Sequence, residues 1–378
     1  MRPRVHPSPS TNKNIMPLLP DILDLTQSLI RIPSAHSRPS EIMRCADFIM
    51  NWCALNGLHA HKIIQNDTPS ILVLPDEPVR LLLMTHFDVV EAPEELFTPR
   101  LDGDRLFGRG ALDDKYAVAL SLIIFRNRLQ ALAATGKTQS DMALGLLMTG
   151  DEETGGENGA GHALKMIRAD HALALDGGSP ERIVIREKGV IDIRLTATGT
   201  AAHGARPWLG RNAIDIILDD CARLRALFPN HDDHDVDHWH RTINLGRIQG
   251  GASINQVPGT AQAWFNIRYT ENDDPQALVA AMADRVSSTL DVLSVIPVFA
   301  APPSTLTDSL LRLSPGTVLT KEHGASDARY LMDHGIHGAI WGAQGFGSAH
   351  GTEECVSIPS IGHIARVIDA LAHEVEQP

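Results

Sequence analysis

The sequence predicts an α/β protein with a mostly parallel sheet between helices, interrupted by an inserted α+β domain. Two observations carry that fold class. Apolar runs without alternation, at residues 81–84 and 143–148, read as strands buried on both faces, and they alternate with stretches of helical periodicity. Beyond Pro180 the runs alternate apolar with polar instead, the pattern of antiparallel strands with one wet face. At 378 residues there is chain enough for two or three domains. The expected division is a disordered leader over 1–15, a first domain over 16–180 plus 302–378, and the insertion over 181–301.

In chain order, Leu19, Ile22, Leu23, Leu25, Leu29 and Ile30 recur at helical spacing, which predicts a helix over 18–30 that Pro33 closes. A second helix is expected over 40–56, with Ser40 as N-cap and Gly57 as its stop. Strands follow at 70–74 and 80–84, then a helix over 111–132, a strand at 143–148, a short helix over 159–168 and a strand at 172–175. In the insertion, strands at 183–186 and 190–198 precede a helix over 212–227. Strands at 242–249 and 260–269 precede a helix over 275–290 and a strand at 292–299. Two βαβ-like halves on an antiparallel sheet make a small α+β domain. Alternating strands and helices resume from 309 to the end, and there are no internal repeats.

A net charge of −13 repels polyphosphate, and aromatics at 4% leave few rings to stack on bases, so nucleic acid is not expected as a partner. The longest apolar runs, such as 117–125, fall far short of a membrane span, and the leader lacks the apolar stretch of a secretory signal. Cys45, Cys53, Cys221 and Cys355 are scattered and form no disulfide framework, which fits a reducing, cytoplasmic compartment. What stands out is 18 histidines beside 46 carboxylates, the groups that bind and use divalent metals.

Five clusters could use them. Thr85-His86-Phe87-Asp88 leaves the end of a buried strand, where α/β proteins place their sites, and the two-residue spacing points His86 and Asp88 the same way. That suits an imidazole ligand whose second nitrogen is held by a carboxylate, although alone such a pair is more often structural. Gly108-Arg109-Gly110-Ala111-Leu112-Asp113-Asp114-Lys115 puts two adjacent carboxylates before a helix, which by itself reads as capping. Gly150-Asp151-Glu152-Glu153 sets three consecutive acids at a buried strand end, where they repel one another and persist more comfortably beside cations. Asp176-Gly177-Gly178 ends another apolar strand, and His350-Gly351-Thr352-Glu353-Glu354 follows a stretch of small residues. Together they bring two histidines and several carboxylates to the strand ends of one sheet, a donor set suited to a pair of divalent ions, zinc foremost. Residues 231–240 hold four His and four Asp but read as a solvated loop, and 345–350 as turn chemistry. No Gly-x-Ser-x-Gly elbow, phosphate loop or His-Glu-x-x-His occurs.

On these five motifs the sequence resembles the di-zinc family of aminoacylase, acetylornithine deacetylase, succinyl-diaminopimelate desuccinylase and glutamate carboxypeptidase. Its hallmarks are a strand ending in His-x-Asp, a Gly-Arg-Gly-x-x-Asp-Asp segment, an Asp-Glu-Glu triplet, a later acid and a late His. All five stand here in order, over about residues 18–375. The resemblance implies a catalytic α/β domain with an inserted, ferredoxin-like lid and dimerisation domain. It implies His86 and Asp176 as ligands of one ion, Glu153 and His350 as ligands of the other, and Asp113 as the bridge. Glu152 is then the general base, Asp88 the orienter of His86, and the Asp113–Asp114 bond cis. His203, in Thr200-Ala201-Ala202-His203-Gly204, matches a histidine that reaches a partner subunit's site and stabilises the oxyanion, so a homodimer through the lid is expected. Asn255 and Arg268 resemble residues that grip substrate oxygens, and Ser326 lies in Gly324-Ala325-Ser326-Asp327, similar to a substrate-facing loop.

Two positions depart from the family pattern. Thr85 stands where many relatives have Gly, and Asp176 where deacylases and carboxypeptidases usually carry Glu. Relatives that act as aminopeptidases or dipeptidases usually have Asp there. The expected activity is hydrolysis of an amide or peptide bond in a dipeptide or short peptide, with two zinc ions per chain, or cobalt or manganese in their place. Deacylation of N-acyl-amino acids, of the acetylornithine or succinyl-diaminopimelate type, is the alternative among enzymes. A metal-binding relative without catalysis is the alternative outside them, and the retention of Glu152, which no ligand role requires, argues against it.

Overall fold

The computed structural model describes residues 18–76, 78–228 and 237–377. The leader expected over 1–15 and residues 231–236 of the His/Asp-rich stretch lie outside them. Two compact units divide the chain. The first runs to Ile185 and takes in Ala301–Thr320 and Ser326–Pro378, and the second comprises Arg186–Ala300 with Lys321–Ala325.

The first unit is built on a sheet of β1 (His61–Gln65), β2 (Thr68–Val73), β3 (Val79–His86), β4 (Leu144–Thr149), β5 (Ala169–Ala174) and β6 (Arg182–Glu187), joined by a late strand, His337–Ile340. Its order is β1-β2-β4-β3-β5, the late strand, then β6. The four central strands run parallel. The pairings β1–β2, β2–β4 and Ile340–Val184 are antiparallel, so the sheet is mixed about a parallel centre. Leu81, Leu82 and Leu83 of β3 are wholly buried, as an unbroken apolar run requires of a strand covered on both faces. In α1 (Leu18–Ile30) the residues Leu18, Ile22, Leu25 and Leu29 form one buried stripe. In α3 (Lys115–Ala133) every residue from Lys115 to Phe125 is buried, so this helix lies inside the unit, against α1, β3 and the C-terminal helix Ile358–Val375.

Parallel register decides where the chemistry sits. His86 pairs with Thr149, and Met84 with Ala174, so the chain leaves β3, β4 and β5 at one edge of the sheet. His86, the acidic triplet and Asp176 therefore converge there without further design.

In the first unit three helices differ from the sequence expectation. The second helix, α2 (Pro39–Leu55), starts with Arg38 at its N-cap and Pro39 in its first turn, not with Ser40 as cap, because proline lacks the N–H that this position leaves unpaired anyway. The helix expected from 111 begins at Lys115: the N–H groups of Leu112 and Asp113 are turned to the Glu354 carboxylate, and the Asp113–Asp114 peptide is cis. The short helix over 159–168 is a single turn, Ala160–Ala163, continued as the 3₁₀ turn Leu164–Met166.

The second unit is a four-stranded antiparallel sheet of β7 (Gly189–Thr198), β8 (Thr242–Gly250), β9 (Thr260–Tyr269) and β10 (Thr289–Ile296), in the order β8-β9-β7-β10. Ile191, Ile193 and Leu195 alternate inward from β7, with Ala263, Phe265 and Ile267 from β9, to form a core with α4 (Ala213–Arg225) and α5 (Pro275–Ala283). The helix expected over 275–290 stops at Ala283, and the strand expected at 292–299 starts at Thr289. The cause is Asp220 of α4, wholly buried, whose carboxylate accepts the backbone N–H groups and hydroxyls of Ser287 and Ser288 and draws the chain out of the helix. No helix among the described residues is long and apolar enough to cross a membrane.

Candidate metal centre

His86, the last residue of β3, is buried, and its Nε2 lies 2.9 Å from Asp113 Oδ1 and 3.9 Å from Asp176 Oδ2. His350 Nε2 lies 3.2 Å from Asp113 Oδ2 and 3.3 Å from Glu153 Oε2. Asp113 thus turns one oxygen to each histidine. Two donor sets share it: His86, Asp113 and Asp176, and Asp113, Glu153 and His350, with the ligand atoms of each within 4.8 Å of one another. Imidazole nitrogens mixed with carboxylate oxygens are what a borderline divalent ion such as zinc accepts, and like-charged carboxylates held this close need cations between them. The residues present fit two such ions.

Electrostatics in the site follow from crowding and burial. Burial works against the His86 imidazolium, but hydrogen bonds to Asp113 and Asp88 outweigh it and raise His86 well above the ordinary histidine value. Hydrogen bonds to Asp113 and Glu153 lift His350 to about 10. Burial pushes Asp113 up, yet His350 and His86 together hold it below the usual carboxylate range. Burial, reinforced by the Asp176 charge, pushes Glu152 well up.

Asp88 holds more than its neighbour. His86 Nδ1 lies 3.1 Å from the Asp88 carbonyl oxygen and 3.4 Å from Asp88 Oδ1. The same carboxylate accepts the N–H of Glu152 at 3.2 Å and of Glu153 at 3.1 Å, so it also fixes the turn that carries the acidic doublet. That second task had no signal in the sequence. The turn ends at Gly156, with φ +63°, where a Cβ would lie 1.9 Å from Asp327 Oδ1, so only glycine fits. Tyr116 was also missed: its hydroxyl donates to the Leu175 carbonyl and accepts the Ala343 N–H, steadying the chain just before Asp176.

Glu152 belongs to neither donor set but lines a cavity with Thr85, His86, Asp176, Ser326 and Asp327. Ser326 is brought to the site, where its Oγ accepts the Ala328 N–H. The other three sequence-predicted residues lie in the second unit. His203 is exposed on a short strand paired with Gln256, and the Gly204 N–H donates to the Asn255 carbonyl at 2.7 Å, so His203 and Asn255 are neighbours. Arg268 is at the other end of β9 from Thr260, roughly 27 Å along at about 3.4 Å per residue, with its Nε donating to Asn266 Oδ1.

Residues 185–292 match the model of the peptidase dimerisation domain. A "Probable carboxypeptidase" of Paracoccidioides brasiliensis is 30% identical over 217 residues, 52% of this chain and 47% of that protein, so the alignment spans about half the length of such relatives. A peptidase M20 domain-containing protein of Schizosaccharomyces pombe is 25% identical over 369 residues, 93% of this chain and 84% of that one. A tripeptidase structure from Staphylococcus aureus shares the fold with a TM-score of 0.75 at 19% identity, covering 95% of this chain and 99% of that chain. The chain is thus similar to M20 peptidases, in sequence to the Schizosaccharomyces protein and in fold to the tripeptidase.

At this centre a proton and a metal ion compete for the same nitrogen of His350. Since that nitrogen holds its proton up to about pH 10, ion binding at lower pH must expel it. Zinc affinity should therefore rise at least about tenfold per pH unit between roughly pH 6 and 8. Folding stability carries the opposite sign: the raised value stabilises fully below the ordinary histidine pKa of about 6.5 and is lost as pH climbs through about 10. Calorimetric titrations with zinc across that range check the first statement, and a flat profile would refute it. In the same titrations Asp113→Ala should bind fewer than two ions.

Proposed function

We propose that the first unit is a di-metal hydrolase that cleaves the amide or peptide bond of a dipeptide or short peptide. The observation that carries this reading is Asp113 facing both histidines while Glu152, outside either donor set, lines the same cavity. Ions held by the two sets would polarise the scissile carbonyl and acidify a water. Glu152 takes that water's proton as the oxygen adds to the carbonyl carbon, then delivers it to the departing nitrogen as the C–N bond breaks. Its burial supports this role, because a carboxyl pushed up in this way is basic enough to hold the proton between the two events. Asp88 positions both His86 and the Glu152 turn.

The second unit is read as lid and dimerisation domain, which the match over 185–292 supports, and the protein as a homodimer in which His203 serves the partner's site. Asn255 and Arg268 grip substrate oxygens, the guanidinium fork suiting a peptide carboxylate, and Ser326 faces the substrate. Asp176 in place of Glu favours dipeptides and short peptides over N-acyl-amino acids, in keeping with the tripeptidase name of one similar structure. Cys45, Cys53, Cys221 and Cys355, free and buried, agree with a cytoplasmic location.

A hydrolysis screen tests the reading: dipeptides and tripeptides against N-acetyl- and N-succinyl-amino acids, each with added zinc, cobalt or manganese. Peptides should turn over fastest. Preference for an N-acyl substrate would move the protein to the deacylases, and no hydrolysis with any metal would overturn the enzyme reading.

A further inference from the structure

His350 is the one ligand of the candidate centre with an exposed side chain, 56% against 1% for His86, 8% for Glu153, 16% for Asp113 and 23% for Asp176. Packing around its ring does not fix its aim, so the aim has to come from its backbone. That backbone is irregular, and so is the segment bearing Asp113. Neither can satisfy its polar groups through a helix or sheet ladder.

Arg109 and Glu354 do so for both. Arg109, 2% exposed, donates from Nη1 to the Ala349 carbonyl at 2.6 Å, and from Nη2 to the carbonyls of His350 at 3.1 Å and Gly351 at 3.3 Å. Glu354, 1% exposed, accepts on Oε1 the N–H groups of Gly110 at 3.1 Å, Leu112 at 2.9 Å and Asp113 at 3.2 Å. Arg109 Nη1 and Glu354 Oε2 then meet at 2.6 Å. One charge therefore gathers the carbonyls around His350, the other gathers the N–H groups around Asp113, and the ion pair ties the two segments together.

We propose that Arg109 and Glu354 are positioning residues that clamp the His350 and Asp113 segments in register and so create the site for the second ion. Stability alone does not account for them, since a buried ion pair contributes little net stability over a well-packed apolar replacement. The planar guanidinium fork matters because three carbonyls and a carboxylate must be reached at once, which a lysine cannot do. The His86 set depends less on the clamp, because His86 is held within a buried strand. The inference rests on the two-metal reading and adds to it the residues that make one of the two sites conditional.

The test uses full-length chain stripped of metal and titrated with zinc against a chromophoric chelator, in the parent, Arg109→Lys, His350→Ala and the double variant. The parent should bind two ions. Arg109→Lys should keep one at near-parental affinity and bind the other about 10–100-fold more weakly, the usual effect of losing an outer partner of a ligand, with unchanged circular dichroism. Adding Arg109→Lys to His350→Ala should weaken binding no further, because both act on one ion. A folded Arg109→Lys with both ions at parental affinity, an equal loss of both ions, or additive effects in the double variant would overturn the clamp. Should Arg109→Lys fail to fold, Glu354→Gln, which keeps shape but turns an amide donor towards Arg109, gives the same readout. A parent that binds fewer than two ions would overturn the two-metal reading itself, and that outcome is visible without any substitution.

Discussion

Glu152→Gln should lower turnover by about 10²–10⁴-fold, equivalent to about 3–5 kcal/mol of barrier, while the protein still binds its metal ions. The amide has the size and polarity of the carboxylate but cannot hold the water's proton. Because Glu152 stands outside both donor sets, its loss leaves every ligand in place. The comparison that matters is with Glu153→Gln, one residue along, whose carboxylate faces His350 and Asp113. That substitution should reduce metal content as well as rate. Metal analysis and steady-state kinetics on the two variants separate chemistry from binding within one turn of chain. Turnover that survives Glu152→Gln would place the base elsewhere, and the nearest other acid lining the same cavity, outside the donor sets, is Asp327.

The clusters at the strand ends were legible because each is a break in texture, acids or a histidine following an apolar run, and parallel register then brings such breaks to one edge. The central strands were legible for the same reason: Leu81 to Met84 is buried on both faces and has no polar residue to disguise it. The edge hairpin β1–β2 was not seen whole. Its first strand, His61-Lys62-Ile63-Ile64-Gln65, is exposed or half-buried, so burial imposes no pattern on it. The one local signal was the turn Asn66-Asp67, where both residues adopt positive φ.

What stayed illegible depends on partners distant in the chain. The start of α3 is set by Glu354 taking the Leu112 and Asp113 N–H groups, and the Arg109–Glu354 pair spans 245 residues. The end of α5 is set by Asp220, 67 residues before Ser287. Periodicity and capping rules work within a few residues and carry no information about such captures. Asp88 belongs with them: its spacing from His86 was readable, but its hold on Glu152 and Glu153, 64 and 65 residues away, was not.

His203→Ala should lower turnover by about 10²–10³-fold, the cost of losing one donor to the developing oxyanion, without changing metal content. His203 is in the second unit and all metal ligands are in the first, and its exposed ring is free to face a neighbouring molecule. If it serves the partner's site, a two-fold dimer gives each site one base from its own chain and one histidine from the other. Two inactive proteins should then rescue each other. In a mixed dimer of His203→Ala and Glu152→Gln chains, one site pairs an intact Glu152 with the partner's intact histidine, and the other site has neither. Random exchange makes about half of the dimers mixed, so activity should return to about a quarter of the parental level. Sedimentation at working concentration should give a dimer. A monomer with full activity, or mixtures that recover nothing, would confine His203 to its own chain or to the lid surface, and the oxyanion donor would have to be sought within the first unit.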